Sequence, residues 1–183
     1  MTETNAPCVV CLGFFDGVHR GHLKLLQAAR EAAEREGLSV SVHTFDRAPG
    51  EKEFELTTLE ERKRLLLSAG ADRVWVSSFD DQMRRMSGEE FFQRIVLDKL
   101  NARHVVCGDD HRFGYRGACG VKELQDMCAR AGVKLTVVPP VTLKSGERIS
   151  STAIRRAIAE KNYALAEQML GRKIGLPNGK KDV

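Results

Sequence analysis

The segment Gly13-Phe14-Phe15-Asp16-Gly17-Val18-His19-Arg20-Gly21-His22 combines three glycines with two histidines three residues apart. Glycine has no Cβ, so Gly13 and Gly17 allow the backbone to turn tightly. Gly21 leaves room for a ligand to approach the start of a following helix. A helix start offers unpaired N–H groups and the positive end of the helix dipole, both suited to phosphate. His19 and His22, at this spacing, can face one ligand together. Their imidazoles can donate hydrogen bonds to phosphate oxygens that gain charge in a transition state. The chemistry favoured by this pattern is a grip on a nucleotide triphosphate. Two plainer readings use the same residues: a tight turn with two surface histidines, and a zinc site in which Asp16 is the nearest further ligand.

A second group is Gly146-Glu147-Arg148-Ile149-Ser150-Ser151-Thr152-Ala153-Ile154-Arg155. Ser150 or Ser151 can cap a helix, and Ser151 and Arg155, four apart, share a face near its positive end. Arg148 precedes the cap and can close a site from the other side; arginine makes planar, bidentate phosphate contacts. Alone, the pattern equally suits an ordinary capped amphipathic helix. A third group is Gly108-Asp109-Asp110-His111-Arg112-Phe113-Gly114. Asp109 and Asp110 suit caps or turns, whereas Phe113 in a loop can pack on a flat ring.

Alternating elements must position these groups. Residues 7–14 form a continuous apolar run that predicts a buried strand. Apolar spacing predicts a helix over 21–36, ended by Gly37. Further strands are expected at 38–45, 73–77, 103–108 and 133–138. Helices are expected at 57–69, opened by Thr58 and Glu61, from Ser87 to about Leu100, and at 120–131, 150–161 and 163–170. Strands separated by such helices imply right-handed crossovers. The expected fold is an α/β, Rossmann-like three-layer α/β/α sandwich with a mainly parallel sheet of about five strands. Ligands in such folds bind beyond the carboxyl ends of the strands, and the three groups above fall in loops there.

The chain has 183 residues, 42% hydrophobic and 30% charged, with a formal net charge of +4. This suits one soluble domain over 1–173 and a polar tail over 174–183. Acids interrupt the basic residues: Arg62-Lys63-Arg64 follows Glu60-Glu61 and Arg84-Arg85 follows Asp80-Asp81, which reads as solvated helix faces. A small anionic ligand fits this balance better than a nucleic acid. No apolar run approaches the roughly 18 residues of a membrane span, and no secretory pattern opens the chain. The expected location is cytoplasmic. Five cysteines argue against a disulfide framework. Cys8 and Cys11 match C-x-x-C inside a strand, where residues three apart point to opposite faces.

The first group resembles the signature of the HxGH nucleotidyltransferases, and within them the FAD synthetase module of bacterial riboflavin kinase/FAD synthetases. The second group resembles the I-S-S-T-x-I-R motif of the same family. The resemblance covers residue 7 to Lys173. It implies transfer of an adenylyl group from ATP to FMN, giving FAD and pyrophosphate with no protein nucleophile. It implies that Gly13, Phe14, Phe15, Asp16, His19, Gly21, His22, Arg148, Ser150, Ser151, Thr152 and Arg155 hold ATP, with His19, His22 and Arg155 catalytic. It further implies that Phe45, Pro49, Asp110 and Phe113 bind the flavin, and that Mg²⁺ accompanies the phosphates, with Asp16 the nearest acidic candidate. Phe14 replaces a small polar residue, His111 replaces a phenylalanine, and Arg47 and Ala48 depart from the family's T-F-x-P-H-P loop. These departures keep two alternatives open: a nucleotidyltransferase with another phosphorylated acceptor, or a catalytically weak nucleotide or flavin binder.

Overall fold

A strand that is apolar on both faces must lie inside a sheet covered on both sides. The computed structural model, which describes residues 6–50 and 54–174, places β1 (Cys8–Leu12) in that position, with all five residues buried. Cys8, Val10 and Leu12 enter one core cluster and Val9 and Cys11 the other. The two thiols of C-x-x-C therefore lie on opposite faces of the sheet.

The elements that follow are α1 (Arg20–Glu36), β2 (Ser39–Phe45), α2 (Leu59–Ser68), β3 (Arg73–Ser77), α3 (Asp81–Arg85) and α4 (Gly88–Phe91). A π-helical segment (Phe92–Lys99) continues α4, followed by β4 (Ala102–Gly108), α5 (Val121–Ala131), β5 (Lys134–Val138), α6 (Ser151–Ala159) and α7 (Tyr163–Leu170). The five strands are all parallel and run in the order β3-β2-β1-β4-β5. The order reverses between β1 and β4, and this switch is where the loops part to leave a crevice.

α1 and α2 cover one face, where Leu26, Ala29 and Leu66 pack on Val9, Val40 and Val42. On the other face, Phe91, Phe92 and Ile95 join Leu124 and Met127 over Val10, Leu12 and Val105. α6 and α7 form a third cluster with Leu143 and Ile149. Ile174 packs against that cluster and its N–H donates to Glu167 at 3.1 Å. The rest of the expected tail, 175–183, lies outside the described residues.

The predicted caps hold at the helix starts: Thr58 accepts from the Glu61 N–H at 3.2 Å, and Ser87 and Glu90 cap reciprocally. Two elements differ from expectation. The helix expected from Ser87 to Leu100 widens into a π-helix after Phe91. The segment 81–85, given no element, forms α3, capped by Asp80 Oδ1 accepting from the Met83 N–H at 2.8 Å. Its signal was an aspartate N-cap on a run too short for apolar periodicity.

Among the described residues, no helix is long and apolar enough to cross a membrane. Leu26 has no exposed surface and sits centrally between α1 and the sheet. Leu26→Ala should lower unfolding free energy by about 2–5 kcal/mol in urea titrations, with little change in the slope.

Candidate active site

The β1–α1 loop is held from below by one carboxylate. Asp16 is 1% exposed, and its Oδ1 accepts from the Leu56 and Thr57 N–H groups at 2.8 and 3.2 Å. Its Oδ2 pairs with Arg155 Nη1 at 2.7 Å, and its carbonyl accepts from Ser151 Oγ at 2.8 Å. Asp16 thus ties the start of α2 and the first turn of α6 to the β1–α1 loop. Phe15 and Val18 have φ of 59° and 39° and are 1% and 2% exposed. Left-handed backbone at non-glycine residues costs about 1–3 kcal/mol each and persists only where packing enforces it.

His19 is the N-cap of α1. Its Nδ1 accepts from the His22 N–H at 3.4 Å, and His22 Nδ1 accepts from the His19 N–H at 3.3 Å. The rings stack with centroids 3.6 Å apart and planes 18° apart. An accepting Nδ1 is unprotonated, so each neutral ring carries its proton on Nε2 and presents that nitrogen as the donor. Burial, with the Arg172 cation adding to it, pushes His19 down to about 4. A Cβ on Gly21 would meet the His19 ring at 3.0 Å. The bare Gly21 backbone thus leaves room for the His19 ring at the helix start.

The second group meets the first at this point. Ser150 Oγ caps α6 by accepting from the Ala153 N–H at 3.1 Å, while Ser151 and Arg155 both reach Asp16. Thr152 is exposed at the α6 start. Arg148 pairs with Asp109 at 2.7 Å and with Asp110 at 3.0 Å. Asp110, expected at the flavin, is not in the cavity wall described next; its carboxylate faces Arg148. Asp16 does not fit the magnesium role given to it, since both its oxygens are committed and buried. Among the described residues, no three His, Cys, Asp or Glu side chains cluster to hold a metal ion.

Beside the loop lies a cavity of about 1090 Å³ bounded by Gly13, Phe14, Phe45, Pro49, Phe79, Phe91, His111 and Phe113. The expected residues Phe45, Pro49 and Phe113 are therefore walls of one space. Phe113 is set by close packing of Gly114 against Gly88: a Cβ on Gly114 would meet the Gly88 nitrogen at 2.7 Å. His43 also lines the cavity; its Nε2 is 2.9 Å from Ser77 Oγ, and burial pushes it down to about 3. Arg84 and Arg85 line the rim. His43, Phe79 and Phe91 carried no motif, so only the fold shows that they converge. Arg62, expected on a solvated helix face, is wholly buried. It sits under Phe14, and helix periodicity alone places it on the side of α2 that also bears Leu66.

A sequence model of the FAD synthetase family matches residues 1–153. The chain belongs to the FAD synthetase family. It is 36% identical over 170 residues to the bifunctional riboflavin kinase/FMN adenylyltransferase of Escherichia coli K12, covering 90% of this chain and 54% of that protein. Identity to the Pseudomonas fluorescens protein of the same name is 37%, with the same coverage. The chain thus spans about half the length of these relatives. A solved structure described as a macrolide-efflux protein from Streptococcus pneumoniae is 32% identical with a TM-score of 0.81, covering 92% of this chain and 56% of that one. Pantoate-beta-alanine ligase from Francisella tularensis, 16% identical with a TM-score of 0.51 over 90% of this chain and 72% of that one, shares the fold.

This domain keeps His19 and His43 neutral by burying them. Each folded pKa lies below the unfolded value of about 6.5, so the unfolded chain takes up protons first. Their contribution is complete above about pH 6.5 and is lost as pH falls toward 4, by up to ~1.4 kcal/mol per pH unit per histidine. Urea midpoints should therefore be level above pH 7 and fall between pH 6.5 and 4.5, and His43→Leu should flatten that fall. A wild-type midpoint that is constant from pH 7.5 to 4.5 would contradict the burial argument.

Proposed function

We propose that this domain transfers the adenylyl group of ATP to FMN, releasing pyrophosphate and FAD. The observation that carries the reading is that one loop joins the histidine pair to the aromatic cavity: Gly13 and Phe14 line the cavity, and Phe15 beside them meets the His22 ring edge-on at 5.1 Å. A triphosphate at the start of α1 and a flat ring in the cavity would meet there. The names of the relatives point to the same acceptor.

In this reading a phosphate oxygen of FMN attacks the α-phosphorus of ATP. A new P–O bond forms as the bond to the bridging oxygen of the leaving pyrophosphate breaks, so no protein nucleophile is needed. Catalysis is then positioning and charge stabilisation. His19 and His22 donate through Nε2–H to triphosphate oxygens, while the α6 start with Ser150, Ser151 and Thr152, together with Arg148 and Arg155, completes the phosphate side. Gly13, Phe15, Asp16 and Gly21 shape the loop that carries them. Phe45, Pro49 and Phe113 wall the flavin. Magnesium brought in on the phosphates would keep mostly phosphate and water ligands. Among the described residues, no three His, Cys, Asp or Glu side chains form a cage for it.

A different phosphorylated acceptor is the second reading, favoured by the two histidines, His43 and His111, that line the cavity among its phenylalanines. Incubation of purified protein with ATP, Mg²⁺ and FMN should yield FAD and pyrophosphate on chromatography. His22→Ala should lower kcat about 10²-fold while remaining folded, because it removes one donor aimed at developing charge. Turnover of another acceptor with none of FMN would replace the flavin reading.

A further inference from the structure

Arg62 is the anomaly of this fold: a wholly buried cation with incomplete partners. Its Nη2 donates to the Phe45 carbonyl at 2.8 Å, and its guanidinium lies 4.1 Å from the centroid of the Phe14 ring. Among the described residues, its Nε and Nη1 have no hydrogen-bond partner. Burial lowers its pKa, and Glu55, Asp16 and Asp46 oppose that shift.

A position selected for stability alone would favour an apolar residue, because a buried charge with unsatisfied N–H groups is costly to fold around. Methionine could fill the same space on α2. It could not bond the Phe45 carbonyl and stack on Phe14 together, which requires a planar group with in-plane donors and an open face. Phe14 and Phe45 are both walls of the cavity, and Phe45 in turn packs edge-on against Phe79 and His43, two further walls.

We propose that Arg62 is a positioning residue for the acceptor cavity, fixing Phe14 and Phe45 as preset walls for a flat ring. The proposal rests on the flavin reading above. Among the described residues, the hydrogen bond and ring contact of Arg62 go to Phe45 and Phe14, and neither goes to the histidine pair or the α6 turn. Its effect should therefore fall on the acceptor and spare ATP.

The test is a double-mutant cycle on the full chain: Arg62→Met, Arg62→Lys, Phe14→Ala, and Arg62→Met with Phe14→Ala. FMN affinity is read by quenching of flavin fluorescence, and KM and kcat by FAD formation. Arg62→Met should weaken FMN binding and raise its KM about tenfold. The KM for ATP and kcat should stay within about twofold, and Tm within about 3 °C of wild type or above it. Arg62→Lys should not rescue, since lysine keeps the charge and loses the plane. In the Phe14→Ala background, Arg62→Met should add less than about threefold. Full rescue by lysine, additive losses, or a fall in Tm and kcat with a parallel rise in both KM values would overturn the proposal. If wild type binds FMN but makes no FAD, the transferase reading fails while the binding cycle still decides the role of Arg62. If wild type neither binds nor adenylylates FMN, both fall.

Discussion

The arrangement depends on the buried pair between Asp16 and Arg155. The two residues are 139 positions apart, and their chain neighbours Phe15 and Ile154 belong to different clusters of the core. Removing one partner of a buried ion pair leaves the other charge stranded, at a cost of about 3–5 kcal/mol. Here the loss would spread. The Asp16 carboxylate also holds the Leu56 and Thr57 amides, and Gly17 N–H donates to Thr57 Oγ1 at 3.1 Å. One carboxylate thus fixes the loop after β1, the approach to α2 and the start of α6. The left-handed backbone at Phe15 and Val18 is sustainable because that frame leaves the loop no other packed arrangement.

On this frame the site divides by chemistry. The phosphate side is polar and preorganised: the histidine rings are aligned by capping the helix they begin, so holding them costs no further ordering. The acceptor side is a cavity whose aromatic walls come from the loop after β1, β2, the loop after β3, α4 and the loop after β4, gathered where β1 and β4 are neighbours at the reversal of strand order. Arg148, through Asp109 and Asp110, ties the segment before α6 to that loop after β4.

The fold was legible because burial dictates composition. β1 had to be central since both its faces are apolar, and α2, α4 and α6 opened on side-chain acceptors that the sequence displays, Thr58, Ser87 and Ser150. The site was legible where a local motif did local work, as at His19, His22 and Ser150. It was not legible where distance decides. Asp16 reads as a metal candidate until Arg155 is seen beside it, and nothing local shows that Gly21 also clears the His19 ring. Arg62, between two glutamates and two further bases, reads as solvated. Its spacing from Leu66 marks the inner side of α2, but only the fold shows that it meets Phe14 and Phe45 there, and His43 and Phe79 carry no pattern that would link them to Phe113.

The stacking of His19 on His22 has a consequence for how the motif should be understood. The closest neighbour of a side chain at position 21 would be the His19 ring of this same segment, so a single hydrogen in place of a methyl leaves that ring the space in which it stacks on His22. The H-x-G-H spacing is then a steric sentence complete in itself. It specifies two rings, the gap that lets them overlap, and the helix whose first amides they satisfy. Such a unit carries its own geometry wherever a strand and a helix present it, which explains how ten residues can be informative while most of the cavity beside them is written in residues with no pattern at all.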